Sequence, residues 1–317
     1  MKTFPIWGDN IPFNRPDVRK QDVMRIKKMP KGIAMIAWLR SVFGTRIDKD
    51  ASALDTFTYL DEILPGKVSA CMDDVPTLTH YPAEGSDMAV IVVPGGGFCN
   101  QSRDLEGEDI ARFLNSCGIT AFVLEYRMNP YEAPVFYLDL QRAIRFVRFH
   151  AEEYHISPDR IGAIGFSAGG YITGAAALLL PDAPPEAPGY TPDEVDLVSG
   201  RANTIALLYP VTHFDENPNM LCLVGGDDFF DPSKRAALEE KYSLIVHAGD
   251  APDIPQFLCY GTKDMLKGND RYAAALDQAG VPHKTIAIEG ANHGYSLNQK
   301  NYAWWADEYV KWLEKTM

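Results

Sequence analysis

Arg160-Ile161-Gly162-Ala163-Ile164-Gly165-Phe166 runs without a break into Ser167-Ala168-Gly169-Gly170. After Arg160, residues 161–166 are small or apolar on both alternating faces, which suits a strand buried in a parallel sheet. Residues 171–180 then carry a helical pattern. Between strand and helix, Gly165-Phe166-Ser167-Ala168-Gly169 fits the G-x-S-x-G pattern. A serine at such a sharp turn needs small neighbours, and its hydroxyl then projects from the end of the sheet. The start of the following helix offers free N–H groups and a positive dipole end to developing negative charge. Ser167 is therefore the candidate nucleophile, against the plainer reading of a turn serine.

Working outward, the chain alternates strand and helix signals. Upstream, Met88-Ala89-Val90-Ile91-Val92-Val93 is a strand stopped by Pro94 and three glycines. Residues 109–115 read as a helix, and Thr120-Ala121-Phe122-Val123-Leu124 as the next strand. Phe136, Leu140, Ile144, Val147 and Ala151 recur at helical spacing, predicting one helix over residues 133–154. Downstream of the serine, prolines at 181, 184, 185, 188 and 192 mark an irregular excursion. Strands are predicted at residues 204–209, 256–260 and 284–288, with helices at 270–278 and 302–315. This rhythm implies an α/β fold: a mostly parallel sheet with helices on both faces and right-handed crossovers. Residues 1–70 lack the rhythm and read as an N-terminal extension serving as a lid, packing arm or oligomer contact. Residues 71–317 then form the catalytic domain. Within the extension, residues 27–44 could form a short basic amphipathic helix.

A serine hydroxyl needs a base, and the base needs a carboxylate to orient it. Of seven histidines, His293 alone lies in a small-residue loop, Gly290-Ala291-Asn292-His293-Gly294, between the last predicted strand and the final helix. Such loops at strand C-termini are where the functional groups of open α/β sheets converge. Asp264 follows the strand ending at Tyr260 and completes the order Ser, Asp, His. Asp270 is its rival, although it more naturally starts the next helix. Pro94-Gly95-Gly96-Gly97-Phe98 follows a central strand, and side-chain-free residues let backbone N–H groups approach an oxyanion closely. Gly96 and Gly97, together with Ala168, are the expected donors, and Gly95 a weaker candidate. The loop cannot be a nucleotide phosphate cradle, since no Gly-Lys-Ser/Thr follows. Phe98, Tyr126, Tyr131, Phe214, Phe229, Phe230 and Tyr295 flank strand ends and could offer an aromatic platform. Phe98 is the residue chosen as substrate-binding. Glu106 and Arg127 read either as substrate ligands or, preferably, as structural ties.

Composition sets the outer bounds. The 317 residues are 46% apolar and 23% charged, enough for a sizeable core and unlike a fibrous or disordered chain. Forty-three acidic against 30 basic side chains leave a net charge of −13, which argues against a nucleic-acid partner. Residues 1–50 run the other way, with 11 Lys/Arg and 5 Asp/Glu, and are read as a solvated or packed face. Five scattered cysteines without a CxxC pair predict neither a disulfide framework nor a zinc site, and no metal or cofactor is expected. The N-terminus lacks the apolar core of a secretion signal, so a cytoplasmic location without a membrane partner is expected.

These motifs resemble the α/β-hydrolase superfamily, and in particular the acetylxylan esterase and feruloyl esterase-like branch of carbohydrate esterases. The resemblance rests on Pro94 to Phe98, Glu106-Gly107-Glu108, Tyr126-Arg127, Gly165 to Gly170 and Val195-Asp196 with Ser199-Gly200-Arg201. Tyr209-Pro210-Val211, Gly261-Thr262-Lys263-Asp264 and His293-Gly294 complete it. It spans residues 75–312. It departs at Tyr171, where many relatives carry histidine, and at residues 265–269, which replace an apolar, proline-containing stretch. It implies a serine carboxylesterase acting on short acyl esters, acetyl above all, of sugars or xylo-oligosaccharides. The partner is then a small ester substrate, with a homo-oligomer left open. Two rivals remain: a serine peptidase of the prolyl oligopeptidase-like type, and a non-catalytic member of the fold used for binding.

Overall fold

Five consecutive residues of strand β3 (Ala89–Val93) are wholly buried, and their alternation divides them between two cores. Ala89, Ile91 and Val93 face one apolar layer, whereas Val90 and Val92 face the other. A strand with period-two side chains and no polar face belongs in the middle of a sheet covered on both sides. The computed structural model describes residues 1–14, 75–98, 101–128, 131–215 and 218–317. The basic helix expected over residues 27–44 lies outside the described residues, as does the rest of 15–74.

The sheet has eight strands: β1 (Lys2–Pro5), β2 (Thr77–Tyr81), β3, β4 (Thr120–Glu125), β5 (Ile161–Phe166), β6 (Thr204–Leu208), β7 (Gln256–Gly261) and β8 (His283–Ile288). Their order is β1-β2-β4-β3-β5-β6-β7-β8. The pairings of β1 with β2 and of β2 with β4 are antiparallel, and all others are parallel. The first layer receives α2 (Val135–Phe149), α3 (Ala168–Leu178), α4 (Pro218–Gly225), α5 (Arg235–Tyr242) and α6 (Asn269–Ala279). The opposite layer receives α1 (Asp109–Ser116) and α7 (Trp305–Thr316), which buries Trp305, Tyr309 and Trp312.

The order of strands fixes where a site can form. From β3 the chain crosses to β4 on one side, while from β5 it crosses to β6 on the other. The neighbouring C-terminal ends of β3 and β5, in register at Val93 and Gly165, therefore send their loops in opposite directions. Such a switch point of the topology is where open α/β sheets form their crevice. The glycine loop and Ser167 flank that point.

Several boundaries differ from the sequence reading. Helix α2 is shorter than residues 133–154, because the residue before Pro134 disfavours helical backbone and the chain turns at His155, φ 54°. Ala151 stays buried beyond the helix end, so the apolar spacing outlasts the helix. Helix α3 starts at Ala168 rather than 171. Gly169 and Gly170 are poor helix formers, but packing requires them. A Cβ on Gly169 would come within 2.1 Å of the Val93 carbonyl oxygen. Helices α4 and α5 carried no clear periodicity and were not anticipated.

The first 14 residues belong to the same body as the sheet. Strand β1 extends its edge, and Trp7 is buried with its indole N–H donating to Asp139 Oδ1 at 2.8 Å. Asp139 also pairs with the buried Arg127 (2.7 Å), whose guanidinium donates to the Pro12 carbonyl at 2.7 Å. Arg127 is thus the structural tie preferred on sequence grounds, joining the end of β4, helix α2 and the N-terminal segment.

Candidate active site

Ser167 sits at the junction of β5 and α3 with φ 52° and ψ −118°. A non-glycine residue at positive φ is strained, and the surrounding bonds hold it there. Its N–H donates to the Leu208 carbonyl (2.9 Å), and its own carbonyl accepts from Tyr171 N–H (3.0 Å). A Cβ on Gly165 would meet the Gly169 carbonyl oxygen at 2.2 Å, so the turn closes only with glycine at both flanks.

His293 lies in the loop between β8 and α7, and Asp264 in the loop after β7. The imidazole Nε2 stands 2.8 Å from Ser167 Oγ, and Nδ1 stands 2.9 and 3.0 Å from the two carboxylate oxygens of Asp264. The Asp264 side chain is 2% exposed and that of His293 22%, so the acid is shielded while the imidazole edge reaches solvent. Asp264 Oδ1 also accepts from Leu266 N–H at 2.8 Å. Asp270, the rival acid, is an exposed residue in the first turn of α6 and makes no hydrogen bond with His293. The other histidines have other surroundings. His80 stacks on Phe122, His150 bonds the Phe146 carbonyl of its own helix, and His213 and His247 pair with Asp215 and Asp250.

The glycine loop lies against Ser167. A Cβ on Gly95 would lie 2.8 Å from Ser167 Cβ and 2.5 Å from the Phe166 carbonyl oxygen. The Gly95 N–H donates to Glu106 Oε2 at 2.9 Å and is thereby occupied, so Gly95 drops out as an oxyanion donor. Gly96 and Gly97, at φ 147° and 63°, are half-buried, and a Cβ on Gly97 would point into open space. Ala168 opens helix α3, where the first N–H groups have no acceptor within the helix.

Phe98 does not form part of an open platform. Its ring is fully buried against Phe136 (5.8 Å) and Tyr171 (5.5 Å). Tyr126, Tyr131, Phe214, Phe229 and Tyr295 are buried as well. Aromatic residues at strand ends here fill the core beneath the site rather than line its mouth.

Two residues with a place at the site were not candidates on sequence grounds, although Tyr209 lies in one of the motifs that carry the family resemblance. The Tyr209 ring packs edge-on against the His293 imidazole, centroids 5.1 Å apart, and its hydroxyl donates to Glu106 Oε1 at 2.9 Å. Ser296 Oγ donates to the Leu105 carbonyl at 2.8 Å, tying the histidine loop to the turn that carries Glu106. Burial pushes the Glu106 carboxyl above its usual range, opposed by its bonds to Tyr209 and Gly95 and by His293. Burial and the Glu106 carboxylate push the Tyr209 hydroxyl well up.

A family model described as alpha/beta hydrolase fold matches residues 90–297. The chain belongs to the α/β-hydrolase family. It is 30% identical over 229 residues to an acetylxylan esterase of Xylanibacter ruminicola, covering 68% of this chain and 42% of that protein. It is 27% identical over 245 residues to endo-1,4-beta-xylanase B of Butyrivibrio fibrisolvens, covering 72% of this chain and 35% of that protein. The chain thus spans less than half the length of these two relatives. Among solved structures, an acetyl ester-xyloside bifunctional hydrolase from Caldicellulosiruptor lactoaceticus superimposes with TM-score 0.64 at 31% identity. The match covers 76% of this α/β-hydrolase and 88% of that chain. Among the described residues of this α/β-hydrolase no helix is long and apolar enough to cross a membrane. No group of three or more His, Cys, Asp or Glu among them could hold a metal ion.

Proposed function

We propose that this α/β-hydrolase is a serine esterase that removes short acyl groups, acetyl first, from sugar hydroxyls such as those of xylo-oligosaccharides. The observation that carries the proposal is the continuous hydrogen-bonded line from Ser167 through His293 to the buried Asp264. Ser167 Oγ attacks the ester carbonyl while His293 Nε2 takes the hydroxyl proton. Asp264 keeps the Nδ1 proton in place and stabilises the imidazolium. The carbonyl oxygen becomes an oxyanion facing the N–H groups of Ala168, Gly96 and Gly97. The tetrahedral intermediate collapses, His293 gives its proton to the departing alkoxide, and the acyl group remains on Ser167. Water then attacks with His293 as base, releasing the acid and restoring the serine. The sugar-acetate preference is supported by the acetylxylan esterase relative and by the acetyl ester-xyloside hydrolase that shares the fold.

The test is a substrate panel on the purified protein, with acetylated xylo-oligosaccharides beside p-nitrophenyl esters of increasing acyl length. Labelling by a fluorophosphonate is mapped to Ser167 in parallel. The expected result is labelling at Ser167, preference for acetyl over longer chains, and turnover of the acetylated oligosaccharides. Rapid cleavage of a matched amide would move the assignment to a peptidase. Silence toward every ester together with absence of labelling would move it to a binding protein.

A further inference from the structure

Glu106 is a buried carboxylate that bonds both the glycine loop and Tyr209, the residue packed against His293, without belonging to the Ser–His–Asp line. It sits in a π-helical turn, Asp104–Glu108, between the glycine loop and α1, and is 7% exposed. Its two oxygens have separate duties. Oε2 accepts the Gly95 N–H at 2.9 Å, and Oε1 accepts the Tyr209 hydroxyl at 2.9 Å. Gly95 carries the glycine loop and is packed against the nucleophile. Tyr209 supports the imidazole of His293 with the edge-on contact described above. The turn is fastened at two further points: Ser102 N–H donates to the Gly95 carbonyl (2.8 Å), and Ser296, three residues past His293, bonds the Leu105 carbonyl. The carboxylate therefore bridges, in two hydrogen bonds, the element that carries the oxyanion donors and the residue on which the proton acceptor rests.

We propose that Glu106 is a positioning residue that holds the glycine loop and His293 at one fixed separation by linking Gly95 to Tyr209. The inference rests on the esterase reading of the site and deepens it. The transition state needs the oxyanion donors and the imidazole placed together around one tetrahedral centre, whereas ground-state binding of an ester demands this far less. A misplacement near 1 Å is enough to cost a large factor in rate. Burial strengthens the arrangement, because neither the Gly95 N–H nor the Tyr209 hydroxyl has water as a ready substitute. A buried acid at this place is costly to keep, as its raised pKa reflects, and its two bonds offset that cost.

The experiment compares Glu106→Ala, Glu106→Gln and Tyr209→Phe in an ester-hydrolysis assay, with folding checked by circular dichroism and fluorophosphonate labelling of the wild type run alongside. Glu106→Ala is expected to lower kcat by about 10²-fold with KM within about threefold of wild type, the signature of a transition-state-only loss. Glu106→Gln still offers an oxygen to Gly95 and an N–H to the Tyr209 oxygen, so it should return kcat to within about tenfold of wild type. A kcat for Glu106→Ala within threefold of wild type would overturn the inference, as would a loss confined to KM. So would a folded Glu106→Gln as impaired as Glu106→Ala. If Glu106→Ala does not fold, Tyr209→Phe decides: it removes the same link from the other side, so kcat should fall by more than about threefold with KM within about threefold of wild type, and a smaller fall in kcat overturns the inference. Failure of the esterase reading looks different, since the wild type itself would then neither label nor turn over.

Discussion

Replacing Asp264 by asparagine isolates one feature of the proposed mechanism, the tautomer of His293. Asp264 Oδ1 accepts the Leu266 N–H at 2.8 Å, and both carboxylate oxygens lie within 3.0 Å of Nδ1. An asparagine of the same shape keeps its oxygen on the Leu266 N–H, because the reverse orientation sets two donors against each other. Its NH₂ group then points at Nδ1 and forces that nitrogen to accept. The ring proton is displaced to Nε2, which faces Ser167 Oγ at 2.8 Å and can no longer take the hydroxyl proton. Comparable tautomer errors in Ser-His-Asp triads cost about 10⁴-fold in kcat. That factor corresponds to about 5.4 kcal/mol of barrier. KM should move little, because Asp264 is buried beneath the imidazole and does not reach the substrate. Steady-state hydrolysis of p-nitrophenyl acetate by Asp264→Asn and Asp270→Asn is the measurement, with Asp270→Asn expected near wild type. An Asp264→Asn enzyme within tenfold of wild type, or an inactive Asp270→Asn, would refute the assignment of the acid.

Ser167→Ala and His293→Ala should each remove about 10³- to 10⁶-fold of kcat, and the double variant should be little worse than either, since the two act as one unit. Independent, multiplying losses in the same assay would contradict that. Arg127→Ala leaves the fully buried Asp139 without its ion partner, although the Trp7 indole still donates to it. The expected loss of stability by chemical denaturation is about 3–5 kcal/mol; a loss below about 1 kcal/mol would count against the pair as an anchor of the N-terminal segment. Burial pushes the Cys259 thiol up to about 12, whereas Cys117 is exposed. At pH 8 the thiolate of Cys259 is therefore scarce, because the pH lies well below its pKa. Iodoacetamide followed by peptide mass mapping should modify Cys117 in the native protein and spare Cys259 until the chain unfolds.

Residues 160–170 announced their place in the fold because each local demand in them agrees. A strand buried on both faces must be apolar throughout, a turn closed against backbone must be glycine, and a single serine between them leaves few alternatives. Asp264 and His293 were legible for a related reason. Polar residues directly after strand C-termini are carried to one end of a parallel sheet whatever the rest of the chain does. Local sequence was silent where the outcome depended on distant partners. Phe98 and Tyr295 look alike as aromatics beside strand ends, and only packing decided that both lie in the core. The same holds for the first residues, whose strand exists because β2 offers it an edge.

What the amino-acid order determined by itself was the alternating architecture and the three residue types brought to its rim, since periodicity and turn chemistry act over a few residues. The tertiary structure alone decided that the Gly95 N–H is already taken and that Glu106 faces Tyr209 across 103 positions of chain. Hydrogen bonds between side chains so far apart in sequence are set by how the sheet orders its strands, and no local pattern encodes that order.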